Sequence, residues 1–313
     1  MPADLLFTNH LLLGAPVGAA AGMPYTVKAH GSELEFSMRG HQDLCAWASE
    51  SLRSARLVLA GSEHVRATIE EVLGPGDFLA KTRIIPPGVD VAHFAPEARD
   101  VALRGLIEEA RRDQPNPNDA NERLPDEKNA DRFADFFAGE RFTALYVGKL
   151  SHEKGVALLL DAVRDLGVRT VIAGFGESRP ALERAAGPDI LFTGILEHRH
   201  LAHLWPLADV SVTPSIFPEA FGMVATEAAA CGSPPLVARH SGLAEIANSL
   251  VEEYPPEYRH LTGFESGNID DLRLKLARIR ALPRGEWLKL SRAARRTAVA
   301  RWSWERVAAE ILR

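Results

Sequence analysis

The most informative stretch of the sequence runs from Pro214 to Gly232 and reads PSIFPEAFGMVATEAAACG. It follows a short apolar run typical of a strand and continues into small residues typical of a helix. Pro218 and Gly222 interrupt the chain before that helix, so the amides of Phe221 to Val224 are expected to lack intrahelical acceptors. Such amides bind phosphate or other oxygen-rich groups. The stretch therefore predicts an anion site at the end of a strand.

Glu227 lies inside this predicted helix among apolar or small neighbours. The residues three and four positions away are Met223, Val224, Ala230 and Cys231. Glu227 is therefore expected on a buried helix face, where an ionised carboxylate without hydrogen-bond donors is costly. The vicinal hydroxyls of a ribose would supply such donors, and a backbone amide of the protein is the alternative.

Strands and helices alternate along the whole chain, which predicts parallel sheets covered by helices, because parallel strands need crossover connections. In the second half the predicted strands are Phe142–Val147, Arg169–Ala173, Ile190–Thr193, Asp209–Thr213 and Pro235–Ala238. In the first half they are Leu5–Asn9, Tyr25–Ala29, Leu57–Ala60 and Thr82–Ile85, with helices near Ser37–Ser54 and Ser62–Leu73.

The composition changes between Pro96 and Gly139, where charged residues, asparagines and prolines such as Pro115, Pro117 and Pro125 replace the alternation. We expect a partial N-terminal Rossmann-like domain at 1–96, a charged linker or insertion with some helix at 97–140, a C-terminal Rossmann-like domain at 141–301 and a closing helix at 302–313. A domain of this kind has about six strands. The four strands predicted before the linker therefore indicate that the first domain is incomplete.

Two loops after strands of the second half carry glycines and cations. The first, from Val147 to Gly155, reads VGKLSHEKG, and its Lys149 and Lys154 would neutralise a diphosphate, the alternative being two solvated lysines. The second contains Gly174 and Gly176. Arg179 stands where the third glycine of a dinucleotide-binding G-x-G-x-x-G would be, which excludes that fingerprint.

Histidines are the remaining candidates. His10 and His30 each follow a predicted strand, where open α/β sheets bind ligands, although each alternatively satisfies a backbone group. A metal site at His198, His200 and His203 is disfavoured because the three do not share one helix face and no cysteine is near. A solvated helix face is expected there.

Together these motifs resemble those of the retaining family 4 glycosyltransferases, which have the GT-B fold. The resemblance rests on the E-x7-E spacing of Glu219 and Glu227, on the two glycine loops, and on IPPGVD at Ile85–Asp90 with the closing helix at Trp302–Leu312. It implies an α/β protein with two Rossmann-like domains facing a cleft. Family members have further βα units before the Leu5–Asn9 strand, to which nothing in this sequence corresponds.

The resemblance also implies the roles of site residues. The first glutamate contacts sugar hydroxyls, the second contacts the ribose, the lysines clamp the donor phosphates, and a histidine reaches the transferred sugar across the interdomain cleft. The implied catalytic residues are His30, Lys149, Lys154 and Glu219. The implied donor-binding residues are His10, Gly148, Gly174, Gly176, Phe221, Gly222, Met223, Val224 and Glu227.

The expected reaction moves a hexose-like sugar from a nucleoside diphosphate sugar to an acceptor hydroxyl with retention of configuration. Glycosyltransferases of the other large fold class hold a divalent metal with an Asp-x-Asp motif, and this chain has no such motif. No metal or other cofactor is therefore expected. The acceptor, whether a small molecule, glycan or lipid, stays open, as do the base and the sugar. The alternative is a nucleotide-sugar-binding module that is weak or inactive because the first domain is incomplete, and that self-associates through it.

The composition excludes other classes. A formal net charge of -6 argues against nucleic-acid binding, and two cysteines distant in sequence argue against a disulfide scaffold. The N-terminal apolar run is interrupted by glycines and prolines, which disfavours a signal peptide or a membrane span. We expect a cytoplasmic protein, with peripheral contact to a lipid acceptor left open.

Overall fold

The computed structural model describes residues 4–113 and 124–313. Pro115 and Pro117 of the predicted linker lie outside the described residues. The chain divides into two compact units. The first comprises the described residues up to Gly88 together with Pro218–Phe221 and Val307–Arg313, and the second comprises the described residues of Val89–Phe217 and Gly222–Arg306.

The first unit contains a four-stranded parallel sheet. Its strands are β1 (Leu6–Asn9), β2 (Tyr25–Lys28), β3 (Leu57–Ala60) and β4 (Thr82–Ile84), hydrogen-bonded in that order. Its helices are α1 (Gly14–Ala20), α2 (Gln42–Leu52) and α3 (Glu63–Leu73), with a π-helical segment at Glu33–Met38. All four strands that the sequence predicts are present.

Of the two helices predicted in this unit, one differs from the structure at its start and the other agrees with it. The one predicted near Ser37–Ser54 is wrong at its start, because Gly40 adopts a left-handed φ of 83° and separates the π-helical segment from α2. The one predicted from Ser62 is confirmed, since the Ser62 hydroxyl accepts a hydrogen bond of 3.1 Å from the amide of Val65 and caps α3.

The second unit contains a six-stranded parallel sheet. Its strands are β5 (Thr143–Val147), β6 (Arg169–Ala173), β7 (Ile190–Phe192), β8 (Val210–Thr213), β9 (Pro235–Ala238) and β10 (Gly263–Phe264). They pair in the order β10-β9-β8-β5-β6-β7. The five strands predicted from the sequence are confirmed. The sixth, β10, was not predicted, because its two residues are too few to give a pattern.

Nine helices of the described residues accompany this sheet. They are α4 (Arg99–Arg111), α5 (Asn129–Phe136), α6 (Val156–Val163), α7 (Arg179–Ala185), α8 (His198–Leu204), α9 (Met223–Ala230), α10 (Ser241–Glu253), α11 (Ile269–Arg280) and α12 (Arg284–Thr297). Helices α4 and α5 occupy much of the described part of the segment predicted as a linker. The apolar face of α4, formed by Ala102, Leu106 and Ala110, is buried.

The last helix is α13 (Trp304–Ile311), and the Ser303 hydroxyl caps it by accepting a hydrogen bond from the amide of Arg306. Val307 of this helix packs with Leu59 and Ile85 in the first unit. No helix within the described residues is long and apolar enough to span a membrane.

Candidate active site

The order of the six strands defines a switch point between β5 and β8. From β5 the chain proceeds outward through β6 and β7, whereas β8 lies on the other side of β5 and is followed by β9 and β10. Open parallel sheets bind ligands outside the carboxyl ends of the strands at such a point. The loops that follow β5 and β8 carry the lysines and the E-x7-E motif that the sequence singled out.

Backbone contacts bring the glycine loops together at this edge. The amide of Gly148 donates to Ala173 O at 3.0 Å, and the amide of Gly174 donates to Gly194 O at 2.8 Å. Gly174 has φ of 151°, and a Cβ on it would lie 1.8 Å from Gly148 O. Only glycine permits this approach. The function of Gly174 seen in the structure is therefore close packing of two loops beneath the switch point.

The lysine loop contacts the chain that leads to α9. The backbone of Gly155 is in the left-handed region, and a Cβ on this residue would lie 2.0 Å from Pro214 O. The amide of Ile216 donates to Glu153 O at 2.9 Å. Lys149 is 56% exposed, with Nζ 3.5 Å from Glu177 Oε2, and Lys154 is partly buried. The two predicted lysines thus lie on a loop held directly against the start of the E-x7-E stretch.

Helix α9 begins at Met223, with Gly222 as its N-cap at φ of 120°. A Cβ on Gly222 would lie 2.6 Å from Leu243, so glycine is required there. The amides of Met223 and Val224 are first-turn donors without intrahelical acceptors. Phe221 was included among these donors, but it precedes the N-cap and belongs to the first unit.

Glu227 is 7% exposed, as its apolar helical neighbours predicted. Its burial raises the pKa of the carboxyl group to about 7. The imidazole of His198 lies nearby, with Nε2 3.7 Å from Glu227 Oε1, and this histidine side chain is 71% exposed. The buried carboxyl group therefore lies beside an exposed histidine that the sequence did not assign to the site.

The expectation of a solvated helix face at the other two histidines is wrong. His200 is fully buried, with Nε2 3.0 Å from Asp113 Oδ1, and its Nδ1 accepts from the amide of Glu197. This pattern fixes a neutral imidazole that donates from Nε2, and burial lowers its pKa. His203 Nδ1 lies 2.9 Å from Glu97 Oε2. Both histidines contact carboxylates distant in sequence. No group of three potential metal ligands occurs in the described residues.

In the first unit, His10 and His30 come together at the carboxyl ends of β1 and β2. Their rings stack with centroids 4.4 Å apart, and His30 Nε2 lies 3.1 Å from Asn9 Oδ1. Burial lowers the pKa of His30, and the proximity of His10 and Lys28 lowers it further. The two histidines that the sequence offered separately thus form one cluster.

The segment carrying Glu219 lies against this cluster within the first unit. The hydroxyl of Ser62 donates to Ala220 O at 2.6 Å. A Cβ on Gly31, the residue after His30, would lie 3.0 Å from the Cβ of Ala220. The backbone next to Glu219 is therefore adjacent to the His30 turn.

Besides His198, sequence reasoning missed two residues at these edges. His240, which precedes α10, places Nε2 2.6 Å from Ser215 O and fixes the chain just after β8. Glu33 is 6% exposed and accepts hydrogen bonds from three backbone amides around the histidine cluster. The contact between Glu33 and the His30 amide could have been predicted, because an acidic residue three positions after His30 has the spacing of a capping box.

Comparison with known proteins gives both family and fold. The family model described as "Glycosyl transferases group 1" matches residues 127–284, which is half of the chain. A GDP-mannose-dependent alpha-(1-6)-phosphatidylinositol dimannoside mannosyltransferase of Mycobacterium tuberculosis is 45% identical over 109 residues, covering 33% of this chain and 28% of the relative. A D-inositol 3-phosphate glycosyltransferase of Mycobacterium bovis is 33% identical over 226 residues, covering 67% of this chain and 44% of the relative. The chain thus spans less than half the length of these relatives.

Solved structures are similar over nearly the whole chain. Sucrose-phosphate synthase from Thermosynechococcus elongatus has a TM-score of 0.69 at 22% identity, covering 98% of this chain and 72% of that one. Anabaena HepE in complex with UDP has a TM-score of 0.74 at 20% identity, and the match covers 99% of this chain and 77% of that one. At these identities the likeness concerns the fold alone. The chain belongs to the group 1 glycosyl transferases and has the mixed α/β fold, with parallel sheets, of GT-B glycosyltransferases.

Proposed function

We propose that this chain is a family 4 retaining glycosyltransferase that moves a hexose-like sugar from a nucleoside diphosphate sugar to an acceptor hydroxyl. One observation carries the proposal. At the switch point of the six-stranded sheet, the lysine loop is held against the stretch that leads to the N-terminus of α9 and to the buried Glu227. Cations, amides and a carboxylate are the groups that phosphates and a ribose require.

In this proposal the diphosphate is bound by Lys149, Lys154 and the first-turn amides of α9, while Glu227 accepts hydrogen bonds from the ribose. As the bond between the sugar C1 and the diphosphate oxygen breaks, negative charge grows on the leaving group. Fixed cations and amide dipoles then stabilise the transition state more than the ground state. The departing diphosphate takes the proton of the acceptor hydroxyl on the same face of the sugar, where the new C1–O bond forms.

The sugar itself would be oriented by Glu219 and His30, with His10 beside it. The stacked histidines and the segment containing Glu219 lie at one place in the first unit, which supports this assignment. Since lysines and amides supply the positive charge, we propose chemistry that needs no metal. Activity that survives exhaustive treatment with EDTA is the expected result.

The names of the relatives suggest which substrates to test first. One mycobacterial relative is named for GDP-mannose and a phosphatidylinositol dimannoside, and the other for D-inositol 3-phosphate. The Anabaena structure was determined with UDP. We therefore propose a donor panel of GDP- and UDP-sugars, with inositol-containing molecules, free or lipid-linked, as the first acceptors.

The test is calorimetry with GDP, UDP, their sugars and the free nucleosides, on the wild type and on Glu227→Gln. Charge-assisted hydrogen bonds are worth about 1.5–3 kcal/mol each, so the variant should bind the preferred diphosphate at least about 10-fold more weakly. Glu245→Gln, on a different helix, is the control. Equal affinity in wild type and Glu227→Gln would remove Glu227 from the site, and binding without any donor turnover would favour a binding module.

A further inference from the structure

The carboxylate of Glu33 connects both histidine turns of the first unit. Its Oε1 accepts hydrogen bonds from the amides of Leu11 at 2.9 Å and His30 at 3.0 Å, and its Oε2 accepts from Leu12 at 3.0 Å. These amides belong to two turns about twenty residues apart in sequence. One side chain therefore fixes the end of β1 relative to the end of β2.

The position of Glu33 makes these contacts strong. The residue is 6% exposed, so little water competes for its oxygens, and hydrogen bonds from amides to an ionised carboxylate are among the stronger ones in proteins. Without an acceptor here, three amides in two turns would lose their partner, and an unpaired buried amide is costly.

Glu33 also faces the imidazole of the first histidine. Its Oε2 lies 3.7 Å from Nδ1 of His10. His10 adopts a left-handed φ of 71°, an uncommon conformation for a residue with a side chain. The next two residues, Leu11 and Leu12, donate hydrogen bonds from their amides to Glu33 and so hold the chain in this turn. The His10 ring consequently stacks on His30.

We propose that Glu33 is the positioning residue of the sugar-binding histidines, holding His10 and His30 in their stacked arrangement by accepting the amides of both turns. This inference rests on the proposed function, in which His30 contacts the transferred sugar. Glu33 itself does not need to touch the substrate. Its effect is on turnover, because misplacement of an orienting group by about 1 Å can cost about 100-fold in rate.

The variant Glu33→Gln tests the proposal with little change of volume. With its oxygen directed at Leu11 and His30, the side-chain NH2 would point at the amide of Leu12, which sets donor against donor. Glu35→Gln is the matched control. It lies in the same π-helical segment, and its carboxylate pairs with the exposed Arg39 instead.

Three measurements on the full chain are made with GDP-mannose and UDP-glucose as donors. We expect Glu33→Gln to lower kcat for donor hydrolysis or transfer by about 10- to 100-fold. Its affinity for GDP or UDP should stay within 2-fold of wild type, because the proposed diphosphate site is in the other unit. Glu35→Gln should match wild type in both.

The third measurement is the titration of His30 by NMR, which does not need activity. Burial lowers the pKa of His30 most, the nearby His10 and Lys28 lower it further, and Glu33 raises it. If Glu33→Gln opens the turn, His30 leaves its buried place beside His10, and its pKa should rise towards the ordinary histidine value. If the turn persists, only the charge of Glu33 is lost, and a further fall of the His30 pKa would show that the turn does not depend on Glu33.

Contrary results separate the two proposals. An unchanged kcat, or a His30 pKa that does not rise in Glu33→Gln, would overturn the role of Glu33. Wild-type protein that turns over no donor would contradict the proposed function, and the titration would still decide on Glu33. If the variant does not fold, amide hydrogen exchange of the wild type decides instead. Protection of the Leu11, Leu12 and His30 amides is expected, and rapid exchange at all three would refute the proposal.

Discussion

The Nε2 atom of His198 lies 3.7 Å from Oε1 of Glu227, so an exposed imidazole faces a buried carboxyl group. Burial raises the pKa of Glu227 to about 7. In the protein without ligand, this carboxyl group is therefore about half ionised near neutral pH. Both its affinity for a ligand and its effect on stability should depend on pH in the range where the protein is studied.

The first prediction concerns nucleotide affinity. Ribose hydroxyls donate more strongly to a carboxylate than to a neutral carboxyl group, so diphosphate binding should tighten as the pH rises through about 7. Between pH 6 and pH 8 we expect a gain of roughly 10-fold, equivalent to about 1.4 kcal/mol. Because phosphate groups titrate in the same range, the gain is measured by calorimetry as the difference between wild type and Glu227→Gln. Parallel pH profiles for the two proteins would refute it.

The second prediction concerns stability in the absence of ligand. The pKa of Glu227 is raised above its ordinary value of 4.5, so its contribution to stability is full below pH 4.5 and is lost as the pH rises through about 7. Glutamine at this position does not titrate. The free energy of unfolding of wild type, relative to Glu227→Gln, should therefore fall by up to about 3 kcal/mol between pH 4.5 and pH 8.5. Urea unfolding at both pH values measures this, and a constant difference would contradict it.

The third prediction concerns the lysine loop. Lys149→Ala and Lys154→Ala, made singly, should each weaken binding of the nucleoside diphosphate by about 10-fold or more and leave the free nucleoside unchanged, because a lysine acts on phosphate charge. Lys289→Ala is the control, since Lys289 is 56% exposed, as is Lys149. Equal losses for nucleoside and diphosphate would indicate that these lysines act through folding.

The fourth prediction concerns the glycine contact beneath the switch point. Gly174→Ala would place a Cβ 1.8 Å from Gly148 O at a φ of 151°. We expect the free energy of unfolding to fall by at least about 2 kcal/mol, because strained backbone alone costs about 1–3 kcal/mol. Gly187→Ala, where a Cβ meets open space, should change it little. Urea unfolding of both variants measures the difference, and similar midpoints would show that the loops can separate without cost.

Local patterns explain what could be predicted from the sequence. The apolar runs of β5 and β6 and the small neighbours of Glu227 are periodic over a few residues, and periodicity directly reports burial. The helix near Ser62–Leu73 was likewise recognisable from the pattern of its residues. A two-residue strand such as β10 gives no comparable signal.

The remaining features depend on contacts between residues distant in sequence. His200 was interpreted as solvated because its carboxylate partner, Asp113, is 87 residues away. Glu33 was overlooked because its importance lies in the Leu11 and Leu12 amides, 22 and 21 residues away. Helix α4 was obscured by its charged residues, since only its narrow apolar face is buried.

The most direct test of the proposed function is to incubate the chain with 13C-labelled GDP-mannose or UDP-glucose and an inositol-containing acceptor, and to follow the anomeric signals by NMR. Both donors carry an α-linked sugar. We predict release of the nucleoside diphosphate and a product with the same α configuration. Both should form at least about 10-fold more slowly in Glu227→Gln. A β-configured product, or donor that stays intact while the chain binds it, would contradict the proposed retaining transfer.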